Sequence, residues 1–153
     1  MKKRIESIGD ILDNHPGAFV ILSNGLTSRE AASFLRSDRC FYLLHAMGEA
    51  LSVGIGLSLA LPNLKVVVID GDGNALMGLS SWSLMPLPNL TYYVLQNRMY
   101  ETTGGQAVPE LPFVPEWCNV VEIAPGKEET PNPPSPVSIW RTCQSWLLYR
   151  RAL

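Results

Sequence analysis

The stretch Val66–Gln106 decides the fold, and it reads VVVIDGDGNALMGLSSWSLMPLPNLTYYVLQNRMYETTGGQ. Its opening run of β-branched apolar residues has the length of a buried strand. The run ends in Asp70-Gly71-Asp72-Gly73, where glycine lets the backbone turn tightly and come close to a ligand. The residues Asn74–Met77 can then open a helix, whose first N–H groups lack intrahelical partners and favour an anion.

A second predicted strand, Thr91–Gln96, brings Asn97 to the same sheet edge as Asp72, because both residues follow the carboxyl ends of strands. In an open parallel sheet, ligands bind at that edge. Mg²⁺ prefers an octahedron of oxygen ligands and shares them with substrate phosphates. One carboxylate, one amide oxygen and one backbone carbonyl would complete such a shell together with diphosphate oxygens and water. The pattern therefore predicts a magnesium–diphosphate site.

Gly71-Asp72-Gly73 followed by Gln96-Asn97 resembles the signature of thiamine-diphosphate enzymes, which is Gly-Asp-Gly, a spacer and Asn-Asn. The spacer here has 22 residues and is slightly short, and Gln96 replaces the first Asn. Three further blocks extend the resemblance: Ser23-Asn24-Gly25-Leu26-Thr27-Ser28-Arg29-Glu30, Ala46-Met47-Gly48 and Thr103-Gly104-Gly105-Gln106. From Ile5 to Ile123 the chain resembles the cofactor-binding half of sulfopyruvate decarboxylase, its beta subunit, and of phosphonopyruvate decarboxylase.

The resemblance implies an α/β fold with three layers, α/β/α, around a mostly parallel central sheet. It also implies thiamine diphosphate and Mg²⁺ as cofactors, with Asp72, Asn97 and the carbonyl of Met99 as the metal ligands. The residues that it assigns to cofactor binding are Gly25, Leu26, Thr27, Ser28, His45, Met47, Gly71, Asp72, Gly73, Asn74, Ala75, Asn97, Met99 and Tyr100.

Met47 and His45 are the two catalytic candidates that the resemblance implies. Met47 takes the position of a bulky apolar residue that bends the cofactor into a V. His45 stands where relatives mostly have Gly, and its carbonyl would hold the aminopyrimidine amine only if its φ is negative. The imidazole would also reach the substrate as a proton donor. A hydrogen-bonded core histidine is the alternative interpretation of His45.

Polar residues at three places beside the motifs have competing interpretations. Thr27 and Glu30 have the spacing of a capping box at the start of a helix that runs to about Leu35, while Gly25–Ser28 would present N–H and hydroxyl groups to the cofactor diphosphate, and both can hold together. Glu101 is either a catalytic base or a solvated carboxylate in the predicted loop 98–106. Arg98 is either the cation that meets a sulfonate or phosphonate of the substrate, or a solvent-facing arginine.

The composition predicts one domain over residues 1–153, with a net charge of −2 and a pI of about 5.6. This charge argues against nucleic acid or an anionic membrane as a partner. Three cysteines without CxxC spacing are expected to be reduced structural thiols. We expect a cytoplasmic protein, since no secretory signal opens the chain and its longest apolar stretch, Val53–Leu61, is too short for a membrane helix.

The rest of the chain divides into short predicted elements. The segment 124–136 is rich in proline and should be mobile, and a final helix is predicted over 137–150. One face of that helix carries Ile139, Trp140, Cys143, Trp146 and Leu147. The other predicted elements are helices at Lys3–Asn14 and Met47–Ala60, a helix or helical turn at Leu79–Leu87, and strands at Ala18–Leu22, Cys40–Leu44 and Asn119–Ile123.

The function implied by the resemblance is that of a subunit of a thiamine-diphosphate-dependent 2-oxo acid decarboxylase that yields an aldehyde and CO₂. The family's activating glutamate lies on a separate pyrimidine-binding domain, so we expect an alpha-type partner subunit and a hetero-oligomer. A carboligase subunit of the acetolactate synthase type and a non-catalytic cofactor-binding subunit are the alternatives. A generic Mg-nucleotide fold accounts for Asp72 alone and leaves Met47-Gly48 and the Thr-Gly-Gly-Gln block unexplained.

Overall fold

The computed structural model describes residues 1–35 and 38–151, with side chains described to residue 149. The helices are α1 (Arg4–Asp13), α2 (Leu26–Phe34), α3 (Ala50–Ala60), α4 (Asp72–Met77) and α5 (Pro136–Arg151), and Leu79–Leu84 forms a 3₁₀ helix. The strands are β1 (Phe19–Leu22), β2 (Cys40–Tyr42), β3 (Val66–Gly71), β4 (Leu90–Gln96), β5 (Met99–Tyr100), β6 (Gln106–Ala107) and β7 (Cys118–Glu122).

Five strands form a parallel sheet in the order β2-β1-β3-β4-β7. Helices cover both sides of this sheet, which confirms the predicted three-layer α/β fold. The chain order changes direction between β1 and β3, and the crevice beside such a switch point is where open α/β sheets bind ligands. The strands β5 and β6 form a separate antiparallel hairpin immediately after β4.

The central strands are continuous apolar runs because the helices bury both of their faces. All four residues of β1 and the first five of β3 are buried. In α3, a Cβ atom on Gly54 would overlap the side chain of Val68, so the glycine lets this helix lie close to the sheet. Close packing of this kind fixes the carboxyl ends of β1 and β3 relative to each other.

Several predicted boundaries are wrong in detail. Helix α3 begins at Ala50 instead of Met47, because the preceding turn places His45 and Gly48 at positive φ. The helix or helical turn predicted at Leu79–Leu87 is a 3₁₀ helix that ends earlier, at Leu84. The predicted loop 98–106 contains β5 and the start of β6.

The carboxyl-terminal helix is present, and its predicted apolar face is buried in part. Ile139 and Cys143 are buried, Trp146 and Leu147 are partly buried, and Trp140 is 56% exposed. Residues 124–135 have no regular secondary structure. Gly126 nevertheless bonds to buried side chains of Arg4 and Glu101, so the predicted mobility stays a prediction for the rest of this segment. Within the described residues, no helix combines the length and apolar character needed to cross a membrane.

Candidate functional site

A cavity lies at the carboxyl edge of the sheet, beside the switch point between β1 and β3. It is lined by residues that follow β1, β3 and β4, which is where the sequence predicts ligand binding. All but three of the predicted site residues line it: Gly25, Leu26, Thr27, Met47, Gly71, Asp72, Gly73, Asn74, Asn97, Met99 and Tyr100.

The other three predicted residues lie outside the cavity lining. Ser28 is fully buried, and its hydroxyl donates to the carbonyls of Leu22 (3.1 Å) and Ser23 (2.7 Å). Ala75 is in the hydrophobic core. His45 is exposed and has φ 59°, so the core-histidine interpretation is wrong, and the negative φ that its carbonyl role needs is absent.

Asp72 is the carboxylate of the cavity. It is 5% exposed, and its Oδ2 accepts a 2.6 Å hydrogen bond from the N–H of Arg98. Burial raises the pKa of Asp72 above its ordinary value, while the N–H groups of Arg98 and Gly73 act in the opposite direction. A divalent cation would favour the same charged form that burial disfavours. A cation bound in the cavity would therefore compensate the desolvation of the Asp72 carboxylate.

Asp70, near the carboxyl end of β3, is buried in the protein interior. Its Oδ2 accepts a 3.0 Å hydrogen bond from the hydroxyl of Tyr92, and its Oδ1 accepts one of 2.9 Å from the N–H of Gly71. Burial raises the pKa of Asp70 to about 7, although both donors lower it. Only Asp72 of the two aspartates lines the cavity.

Asn97 stands at the end of β4, opposite Asp72. Its Oδ1 accepts from the N–H of Met99 at 3.2 Å, and its Nδ2 donates to Glu101 at 2.6 Å. Arg98, between Asn97 and Met99, has φ 61°, a conformation that is uncommon for a side chain other than Gly. This backbone turn lets Asp72 accept from the N–H of Arg98 and gathers the predicted metal ligands at one edge.

The side chain of Arg98 points away from the cavity. It is 61% exposed and pairs with Glu122 at 3.1 Å. Of the two interpretations of Arg98, the solvent-facing arginine agrees with this placement.

Two predictions about glutamates are wrong. Glu30 does not complete a capping box, since α2 begins with Gly25 as its N-cap and the side chain of Glu30 pairs with Arg4 at 2.6 Å. Glu101 is not a solvated loop carboxylate, because its side chain is 10% exposed and also pairs with Arg4. The sequence offers no local signal for these pairs, which join helices and a hairpin far apart in the chain.

Met47 reaches the cavity from a turn that α4 holds in place. The N–H of Gly48 donates to the Oδ1 of Asn74 at 3.1 Å, and Gly48 itself has φ 81°. A Cβ atom on Gly78 would overlap the carbonyl of Gly48, so the two backbones approach closely. Met47 is 42% exposed although it is apolar, which suits a residue that a ligand covers.

The polar groups of the cavity fit a diphosphate and its cation. The Oδ1 of Asn24, which lines the cavity, is buried without a hydrogen-bond partner among the described residues; as an acceptor it suits a cation or a ligand N–H and not the diphosphate oxygens. Gly25 has φ 83°, and its position admits a close backbone approach. Asp72 and Asn97 supply hard oxygens of the kind that Mg²⁺ prefers.

Comparison with known proteins decides the family. Residues 18–144 match the family described as thiamine pyrophosphate enzyme, C-terminal TPP binding domain. The chain belongs to this family. The family match supports thiamine diphosphate as the cofactor, and it covers every predicted site residue.

The chain is similar to enzymes of two related activities. It is 40% identical over 110 residues to phosphonopyruvate decarboxylase of Streptomyces hygroscopicus. It is 43% and 42% identical, over 109 and 128 residues, to the beta subunits of sulfopyruvate decarboxylase from Methanothermobacter thermautotrophicus and Methanocaldococcus jannaschii. These alignments cover 67%, 69% and 81% of this chain but only 27%, 58% and 65% of the relatives.

Proposed function

We propose that this chain is the diphosphate-binding subunit of a thiamine-diphosphate-dependent 2-oxo acid decarboxylase of the sulfopyruvate or phosphonopyruvate type. The products would be CO₂ and an aldehyde. When bound, thiamine diphosphate would supply the carbanion and the electron sink that this decarboxylation requires. Support comes from relatives named for these two activities.

The observation that carries the proposal is the meeting of Asp72 and Asn97 in one cavity with Met47. These residues are separated in sequence and come from three different connections of the fold. In the resemblance described above, they are the metal ligands and the residue that bends the cofactor. A generic Mg-nucleotide site would account for Asp72 and leave the position of Met47 unexplained.

The roles that we propose follow from these positions. Asp72, Asn97 and the carbonyl of Met99 would hold Mg²⁺, which in turn would hold the diphosphate. The segment 25–27, at the start of α2, would present N–H groups to the phosphate oxygens. Met47 would support the bent cofactor. We assign no proton transfer to His45, because it is exposed and lies outside the cavity lining.

We also propose a partner subunit with a pyrimidine-binding domain and the activating glutamate. The two glutamates with the least exposed paired side chains, Glu30 and Glu101, are unsuited to that task because both are paired with Arg4. The half-exposed Met47 at the cavity supports a site that another surface completes. The relatives named "subunit beta" are consistent with such an assembly.

The test is decarboxylation by the chain purified together with its associated subunit. Sulfopyruvate and phosphonopyruvate are supplied with thiamine diphosphate and Mg²⁺, and CO₂ and aldehyde are measured. We expect Asp72→Ala to abolish activity and Asp10→Ala, at an exposed position of α1, to leave it unchanged. A hydroxyketone product would instead indicate a carboligase, and turnover without thiamine diphosphate would indicate a non-catalytic subunit. Full activity of the isolated chain would remove the partner from the proposal.

A further inference from the structure

Glu101 is a largely buried acceptor for three groups, one from the neighbouring Asn97 and two from distant parts of the chain. Its carboxylate accepts from the Nδ2 of Asn97 at 2.6 Å, from the guanidinium of Arg4 and from the N–H of Gly126. Its side chain is 10% exposed, so water competes little for these bonds. One carboxylate therefore joins β4, the N-terminal helix and the proline-rich segment.

The bond to Glu101 decides which way the Asn97 amide faces. An ionised carboxylate has acceptors only, so the Asn97 atom beside it must be the donor Nδ2 and not the oxygen. The hydrogen-bond network thereby assigns the orientation of the Asn97 amide. The Oδ1 then faces away from Glu101, where it accepts from the N–H of Met99 at 3.2 Å. Asn97, Asp72 and Glu101 all line the cavity, so with Nδ2 bonded to Glu101 the Oδ1 is the side-chain atom of Asn97 that remains for a cation.

Arg4 holds Glu101 in the orientation that this bond requires. Its side chain is 6% exposed and donates to Glu30 at 2.6 Å, to Glu101 and to the carbonyl of Gly126 at 3.1 Å. The planar guanidinium fork suits two carboxylates at once, and its bonds restrict rotation of Glu101. The guanidinium of Arg4 pairs with two carboxylates, those of Glu30 and Glu101. These three side chains together therefore carry a formal charge of −1 beside the cavity, which favours a cation there.

We propose that Glu101, held by Arg4, is a positioning residue that turns the Oδ1 of Asn97 toward the divalent cation. This inference rests on the proposed function, because that function supplies the cation. Hydrogen-bond partners behind metal ligands orient them, and their loss typically weakens metal affinity by about 10–100-fold. Without Glu101, the amide of Asn97 turns freely and presents its nitrogen to the metal part of the time.

The variant that tests the proposal is Glu101→Gln, which keeps the size of the side chain and places an NH₂ group among three donors. The matched control is Glu128→Gln, in the exposed pair of Lys3 and Glu128. Mg²⁺ is titrated into the purified assembly at saturating thiamine diphosphate, and thermal unfolding is followed in parallel. We expect Glu101→Gln to bind Mg²⁺ at least about tenfold more weakly than wild type. The control Glu128→Gln should bind Mg²⁺ with the affinity of wild type. Equal Mg²⁺ affinity in Glu101→Gln and wild type overturns the proposal.

A second measurement needs neither cofactor nor a folded variant. In wild-type protein labelled with ¹⁵N, a side-chain amide bonded to a carboxylate gives a downfield-shifted proton that exchanges slowly with water. We expect this signature for Asn97, and a freely exchanging Asn97 amide overturns the proposal. If wild type binds neither Mg²⁺ nor thiamine diphosphate, the proposed function fails, and the Asn97 resonance still decides whether Glu101 orients the amide.

Discussion

The Oδ1 atom of Asn74 accepts a 3.1 Å hydrogen bond from the N–H of Gly48. The bond ties the first turn of α4 to the turn that carries Met47 into the cavity. Asn74 is buried, so the bond is shielded from water. Through it, the helix that follows Asp72 also fixes the residue proposed to support the cofactor. The proposed metal-binding side and the proposed ring-supporting side of the site are thus joined by this hydrogen bond.

Replacing Gly48 with Ala should destabilise the turn that carries Met47. At φ 81° an L residue costs about 1–2 kcal/mol, and the added Cβ would lie 3.0 Å from the backbone of Met77. The matched control is Gly56→Ala in α3, where the position is exposed and a Cβ would meet nothing within 4 Å. We expect a lower free energy of unfolding for Gly48→Ala and an unchanged or higher one for the control, measured by urea denaturation. Equal stability of the two variants would contradict the role of the turn.

The strands around the site could be predicted from sequence because their determinants are local. β1, β3 and β4 are apolar runs that end in glycine or polar residues, and each lies within two residues of its predicted bounds. The pairings of Glu30 and Glu101 could not be predicted. Each of them meets Arg4, which is 26 and 97 residues away, and only the tertiary fold brings them together.

The same reason explains smaller errors near the site. The spacing of Thr27 and Glu30 allows a capping box, which depends on local sequence alone. In the folded chain, the side chain of Glu30 forms a buried ion pair with Arg4 instead. The β5–β6 hairpin has strands of two residues, too short for any periodicity to mark. The positive φ of His45 follows from the turn held by Gly48, which a pattern search does not detect.

The buried ion pairs of Arg4 should matter strongly for stability. Arg4→Met would leave two buried carboxylates unpaired, and breaking a buried pair from one side costs about 3–5 kcal/mol. The control is Lys3→Met, which breaks a solvent-exposed pair. We expect Arg4→Met to lower the free energy of unfolding well below that of Lys3→Met. Similar values for the two variants would contradict the burial of the Arg4 cluster.

The cysteines should resist thiol reagents in the native protein. Cys40, Cys118 and Cys143 are buried, and burial raises the pKa of Cys118 to about 11 and that of Cys143 to about 12. A raised pKa keeps the thiol neutral to higher pH, so the reactive thiolate is scarce at pH 8. We expect no modification of the native chain at pH 8 and modification of all three thiols after denaturation. Rapid labelling of Cys118 or Cys143 before unfolding would contradict their placement.

The central claim is that Asp72 holds a cation on which thiamine diphosphate binding depends. The most direct measurement is calorimetric titration of thiamine diphosphate into the purified assembly, with Mg²⁺ and with a chelator, for wild type, Asp72→Ala and Asp10→Ala. The account predicts binding by wild type and Asp10→Ala only when Mg²⁺ is present, and no binding by folded Asp72→Ala. Equal affinity in Asp72→Ala and wild type, or binding that persists with the chelator, would contradict it.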